Sequence, residues 1–201
     1  MPDAVRPPAE FDFPLSWTGP EGIGASPFDE FAEVETPDVG SDDGQDLALA
    51  LRRTLGMFAT GVTVVTTRRG EQVHGMTANA FMSVSLEPPL VLISVDRRTK
   101  MCALLHEGRR YGVSVLCETQ APLSERFAGR AGEDLPEPRF ELVRDTPLVQ
   151  GALAHFVARV ERSYWGGDHS LFLGRVEYAR HHKGTPLLFH GGRYERLGHV
   201  R

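Results

Sequence analysis

Apolar side chains in the first 46 residues follow neither a 3.6-residue nor a two-residue period. From residue 47 onward they fall into short runs bounded by turn residues. Asp46 is placed to cap a helix from residue 47 to about 57, with Leu47, Leu51 and Leu55 on one face. The β-branched run Gly61-Val-Thr-Val-Val-Thr-Thr67 reads as a strand, with Arg68-Arg69-Gly70 as its turn. Further strands are expected around 75–86, 90–96, 111–116, 153–164, 169–181, 187–190 and 193–197, the last two joined by a tight Gly191-Gly192 hairpin. Two short helices interrupt them, at 100–107 with Thr99 as cap and at 120–128 with Thr119 as cap. Strands outnumber helices and do not alternate regularly with them. The expected fold is therefore mainly β, an antiparallel barrel with peripheral helices, and not a doubly wound parallel sheet.

Composition divides the chain in two. Residues 1–46 carry 12 acidic side chains against one basic, Arg6, a net charge of −11, and seven of the 14 prolines. Residues 47–201 carry a net +6. The first segment is expected to be an acidic, proline-rich extension, largely disordered. Its Phe11, Phe13, Trp17, Phe28 and Phe31 leave open that it lies across the basic body or docks on a partner. The second, at about 155 residues, is long enough for one sizeable core. No apolar run reaches the roughly 18 residues of a membrane span, and no secretory signal is visible. Cys102 and Cys117 form neither a CxxC nor a zinc-ligand pattern, so a metal site is not expected and the thiols read as reduced and cytoplasmic. Scattered Arg and Lys without an aromatic-basic motif argue against nucleic-acid binding. GxGxxG and GxxxxGK[ST] are both lacking, so a nucleotide would have to be held some other way.

Three stretches could carry chemistry. His74-Gly-Met-Thr-Ala-Asn-Ala-Phe-Met-Ser83 mixes small residues with the hydrogen-bonding Thr77, Asn79 and Ser83. Small side chains would let a flat heteroaromatic ligand reach the backbone; the alternative is a core strand with one wet face. Ser94-Val-Asp-Arg-Arg-Thr-Lys100 runs from a strand end into a helix start, where free N–H groups and cations suit phosphate; the alternative is a solvated basic turn. Gly166-Gly-Asp-His169 could bend backbone toward a ligand and present an imidazole, or His169 could be structural.

Four segments, in order, resemble the short-chain flavin reductase family, the reductase components of two-component flavin-dependent monooxygenases. They are Phe58-Ala-Thr-Gly-Val-Thr-Val-Val-Thr66, the stretch from His74 through Ser83 to Pro88-Pro89-Leu90, Gly167-Asp-His-Ser-Leu-Phe-Leu-Gly-Arg-Val176, and Pro186-Leu-Leu-Phe-His-Gly-Gly-Arg-Tyr194. The resemblance runs from about 47 to 198 and leaves the acidic extension outside.

The resemblance implies an FMN-binding-type split barrel, usually a homodimer. It further implies hydride transfer from NADH or NADPH to FMN or FAD, with release of reduced flavin to a partner monooxygenase. By position it places Thr77, Ala78, Asn79 and Ala80 along the isoalloxazine and ribityl chain, and Ser83 near the phosphate. Ser94, Val95 and Asp96 follow the flavin edge, with Thr99 and Lys100 at the phosphate or pyrophosphate. Arg126, Phe127 and Ala128 close over the flavin, and His169 lies at the nicotinamide. Asn79-Ala80 departs from relatives that carry Ser at one of these positions. Such chemistry needs no protein nucleophile, in keeping with a chain that offers no Ser/His/Asp set or carboxylate pair. Two other readings stay open: a flavoenzyme of the same fold that keeps its FMN and acts on an organic substrate, and a flavin-binding module without turnover.

Overall fold

A computed structural model of the chain describes residues 46–108, 110–130 and 135–198. The expectation for the acidic extension lies outside these residues, apart from Asp46. In chain order the elements are α1 (Leu47–Leu55), β1 (Thr60–Gly61), β2 (Thr63–Arg69), β3 (Gln72–Ala78), β4 (Phe81–Leu86), β5 (Pro89–Asp96), α2 (Lys100–Gly108), β6 (Arg110–Val115), α3 (Ala121–Phe127), β7 (Phe140–Val143), β8 (Thr146–Val149), β9 (Ala154–Gly166), β10 (His169–His181), β11 (Leu187–His190) and β12 (Arg193–Arg196).

Seven strands form one antiparallel sheet in the order β3-β2-β6-β9-β10-β5-β4. Its two edge strands, β3 and β4, are consecutive in the chain, with only Asn79 and Ala80 between them. Two residues bridge at most roughly 10 Å, so the sheet has to curl until its edges meet at this corner. The core shows the same curl from inside. Val65 of β2 and Val91, Ile93 and Val95 of β5 pack in one cluster with Tyr111, Val113, Ala158 and Phe172, although β2 and β5 stand four places apart in the sheet. Met101, Cys102 and Leu105 of α2 join that cluster. The architecture is the antiparallel split barrel expected, with helices at its periphery.

β2 explains why its sequence shows no polar alternation. Val65 enters the barrel core, while Val64 enters a second core outside the barrel with Val62, Leu116, Val149, Ala152 and Leu187. A strand buried on both faces reads as a continuous apolar run. The outer core is closed by α3, by the β11–β12 hairpin and by the β7–β8 hairpin. Gly191 and Gly192 both have positive φ, as a two-residue turn between β11 and β12 requires.

Four local expectations change. The strand expected over 75–86 is two strands, because the barrel corner breaks it at Asn79-Ala80. Thr119 does not cap α3: it sits inside a 3-10 turn, Glu118–Gln120, and Gln120 occupies the cap position without a side-chain bond. The β7–β8 hairpin was not expected, since its turn, Arg144-Asp145, takes positive φ without a glycine and Pro147 interrupts the strand signal. It is held by side chains reaching up from the barrel: Thr66 Oγ1 donates to Pro147 O, Ser114 Oγ accepts from Val149 N–H at 3.0 Å, and His155 Nε2 donates to Val149 O at 2.8 Å. Finally, α1 ends at Leu55. Asp46 caps it, accepting from Ala48 N–H at 3.0 Å, but its leucine face is exposed.

Candidate active site

One end of the barrel gathers most of the residues singled out in the sequence. β4 pairs with β5 only as far as Phe81 opposite Ile93. Beyond that point the corner takes over, and Ser94 N–H donates to Ala80 O at 3.1 Å. No β4 residue pairs with Val95 or Asp96, which leaves that edge of β5 without a neighbouring strand. Val95 itself turns into the barrel core, so it can offer a ligand only backbone. Asn79 and Ala80 are exposed at the corner.

The chain then turns into α2. Thr99 Oγ1 donates to Asp96 O at 2.7 Å and accepts from Cys102 N–H at 3.2 Å, so Thr99 caps the helix as expected. Lys100, the first helical residue, is exposed and close enough to His74 on β3 to act on its charge. Partial burial and then the Lys100 ammonium hold His74 below its ordinary imidazole value. The positive end of this nine-residue helix and the Lys100 cation suit a phosphate.

Asp96 is engaged by Arg98. Its carboxylate accepts from Arg98 N–H at 2.8 Å and from the guanidinium at 3.1 and 2.7 Å. These bonds hold the Asp96 carboxyl far below the usual carboxylate range. Directly across the β5–β10 pairing from Asp96 stands His169. Its Nδ1 is 2.7 Å from Asp168 Oδ1, so Nδ1–H donates to that carboxylate and Nε2 is left for a ligand. Arg97 N–H donates to Asp168 O at 3.0 Å and ties the turn after β5 to the tip of the β9–β10 hairpin.

Other expected residues are placed differently. Ser83 is exposed and pairs with Val91, whose side chain enters the barrel; strand alternation therefore puts Ser83 on the face opposite Ser94. Thr77 Oγ1 donates to Ser124 O of α3 at 2.6 Å, and Ala78 O accepts from Thr63 Oγ1 at 2.6 Å. Gly75 is small for a reason inside the protein: a Cβ there would lie 2.5 Å from Phe127 Cε1. Phe127 is thus committed to packing on β3 and near Phe140, with ring centroids 6.3 Å apart. Arg126 bonds Leu135 O at 3.2 Å and pairs with Glu137 at 2.5 Å, and Ala128 caps α3. Of these three residues, Phe127 packs on β3, the strand that leads to the Asn79-Ala80 corner.

Sequence reasoning missed Asp168 as the partner of His169, although its adjacency was the available signal. It also passed over Trp165, whose ring is 65% exposed with the Arg97 guanidinium 4.3 Å from its centroid. Among the described residues no cluster of three metal-ligating side chains occurs, and no helix is long and apolar enough to cross a membrane.

Residues 55–198 match the family described as flavin reductase like domain. The chain belongs to that flavin reductase family. It is 47% identical over 165 residues to an NADH-dependent flavin reductase from Rhodococcus, covering 81% of this chain and 93% of that one. It is 42% identical over 149 residues to the reductase component of a 4-hydroxyphenylacetate 3-monooxygenase from Thermus thermophilus, covering 74% and 95%. Among solved flavin reductases, PheA2 superposes with a TM-score of 0.74 at 42% identity, covering 77% of this chain and all of that one. The NADH:FAD oxidoreductase SgcE6 of Streptomyces globisporus, in complex with NAD and FAD fragments, superposes with a TM-score of 0.72 at 38% identity, covering 80% and 97%.

Proposed function

We propose that this protein transfers hydride from NADH to FMN or FAD and hands the reduced flavin to a partner monooxygenase in the cytoplasm. The observation that carries the reading is the convergence at one barrel end of an unpaired β5 edge, a capped helix start bearing Lys100, and an imidazole fixed by Asp168. Family membership gives that convergence its chemistry. When bound side by side, a dihydronicotinamide and an isoalloxazine supply the hydride donor and acceptor.

The protein's own contribution is placement. The corner at Asn79-Ala80 and the backbone of Ser94–Asp96 offer donors and acceptors in a row to the edge of a flat ring. The α2 N–H groups and Lys100 hold a phosphate, with Thr99 keeping the helix start in place. Phe127, packed on β3, forms with its neighbours Arg126 and Ala128 the wall beside the ring. His169 presents Nε2 to the carboxamide or ribose of the nicotinamide, and Asp168 keeps that nitrogen outward. Fixed geometry of this kind lowers the barrier by removing the entropy of alignment.

Two apolar surfaces support a homodimer: the leucine face of α1 with Met57 and Phe58, and Met82, Val84 and Leu86 on edge strand β4. Within this reading residues 47–201 are the catalytic unit and residues 1–46 an appended extension. Assay of NADH and NADPH oxidation with FMN, FAD and riboflavin tests the function. Turnover that needs added flavin supports it; nicotinamide oxidation that is absent with every flavin removes it.

A further inference from the structure

Trp165 is a large apolar side chain left two-thirds exposed at the tip of the β9–β10 hairpin. One face of its ring is covered by the Arg97 guanidinium. The pair does not depend on two free rotamers meeting by chance. The Arg97 N–H bond to Asp168 O fastens the arginine's turn to the hairpin tip that carries the tryptophan. A stacked guanidinium still has its in-plane N–H groups for an anion. The result is a flat aromatic surface with a phosphate donor at its side, three residues before the Lys100 start of α2.

The register sets where this surface lies. Trp165 pairs with Ser170, and His169 pairs with Gly166. Neighbouring pairs point to opposite faces, so Trp165 and His169 flank the same tip from opposite sides. A single flat ring cannot touch both. A molecule with two ring systems joined by a flexible diphosphate can, placing one on each side with its phosphates toward Arg97.

We propose that Trp165 and Arg97 form an adenylate subsite, with the purine stacked on Trp165 and a phosphate bonded by Arg97. The inference rests on the flavin reductase reading and extends it, since both NADH and FAD carry an adenylate. Base stacking on an aromatic side chain carries enough affinity for its loss to cost about tenfold.

The binding test needs no turnover. Trp17 is the other tryptophan, so Trp17→Phe leaves Trp165 as the reporter in the full chain. Titration with AMP should quench its fluorescence saturably, and Arg97→Gln should weaken that response several-fold. Lack of quenching overturns the proposal even if the protein is an active flavin reductase. Conversely, quenching in a protein that never oxidises NADH would keep the subsite and discard the activity.

Kinetics then identify the donor of the adenylate. Trp165→Leu should erase about tenfold of the preference for NADH over reduced nicotinamide mononucleotide, or of the preference for FAD over FMN, and Trp165→Tyr should restore most of it. Loss confined to the first ratio assigns the subsite to the nicotinamide dinucleotide; loss confined to the second assigns it to FAD. If Trp165→Leu alters neither ratio, Trp165 packs against Arg97 and no more.

Discussion

Asp168 Oδ1 accepts a 2.7 Å hydrogen bond from His169 Nδ1, and that contact decides which imidazole nitrogen faces the barrel end. The hydrogen bond from His169, and then its positive charge, lowers the Asp168 carboxyl below its ordinary value. The carboxylate is therefore ionised across the neutral range and holds the His169 ring through Nδ1.

Asp168→Asn removes that charge while keeping the shape. The expected outcome is a fall in kcat/KM for NADH of about tenfold, with flavin affinity nearly unchanged, since His169 loses its charge-assisted hydrogen bond. Equal losses in NADH turnover and in flavin affinity would make the pair structural.

Lys100→Ala tests the helix start. FMN should bind about tenfold more weakly, as expected for loss of a charge-assisted bond to phosphate. Riboflavin, without a phosphate, should bind as before. Equal losses for the two would remove Lys100 from the phosphate site.

His74 reports on the same place without mutation. Its folded value lies below the unfolded one, so the neutral form is favoured in the native state. The stability it contributes is complete above the unfolded value and is lost as pH falls through that value toward the folded one. FMN bound at Lys100 would offset the ammonium and raise the His74 value, whereas riboflavin would not. Following the imidazole by NMR in both complexes checks this; identical shifts would contradict it.

Gly75→Ala places a methyl group against Phe127. Destabilisation of about 1–3 kcal/mol is expected from overpacking, read as a lower Tm. Adding Phe127→Leu should return part of it, because the two sites touch and their effects are not additive. Full additivity would mean that α3 moves away from β3 at no cost.

Much of the architecture was legible because each strand is bounded by its own turn chemistry. Asp46, Thr99 and the Gly191-Gly192 turn are local signals, and each acts where expected. The β7–β8 hairpin was hidden because what holds it, Thr66, Ser114 and His155, lies on distant strands. The corner at Asn79-Ala80 was hidden for a similar reason: nothing local says that a run of this length must break where the sheet closes. In the site, the spacing of Ser94 to Lys100 was informative because a strand end followed by a capped helix is a local feature. Gly75 belongs to the stretch read either as room for a ligand or as a core strand, and Phe127 occupies the space beside it. The register, which no local signal reveals, sends Ser83 and Ser94 to opposite faces of the sheet. Residues brought together by pairing, such as Asp96 and His169, are legible only once the register is known.

The most direct test of the central claim is anaerobic mixing of the full chain with NADH and FMN or FAD, following nicotinamide and flavin absorbance together. The account predicts equimolar loss of NADH and oxidised flavin, fast only when protein and flavin are both present. NADH consumed without flavin bleaching, or no reaction with either flavin, would contradict it.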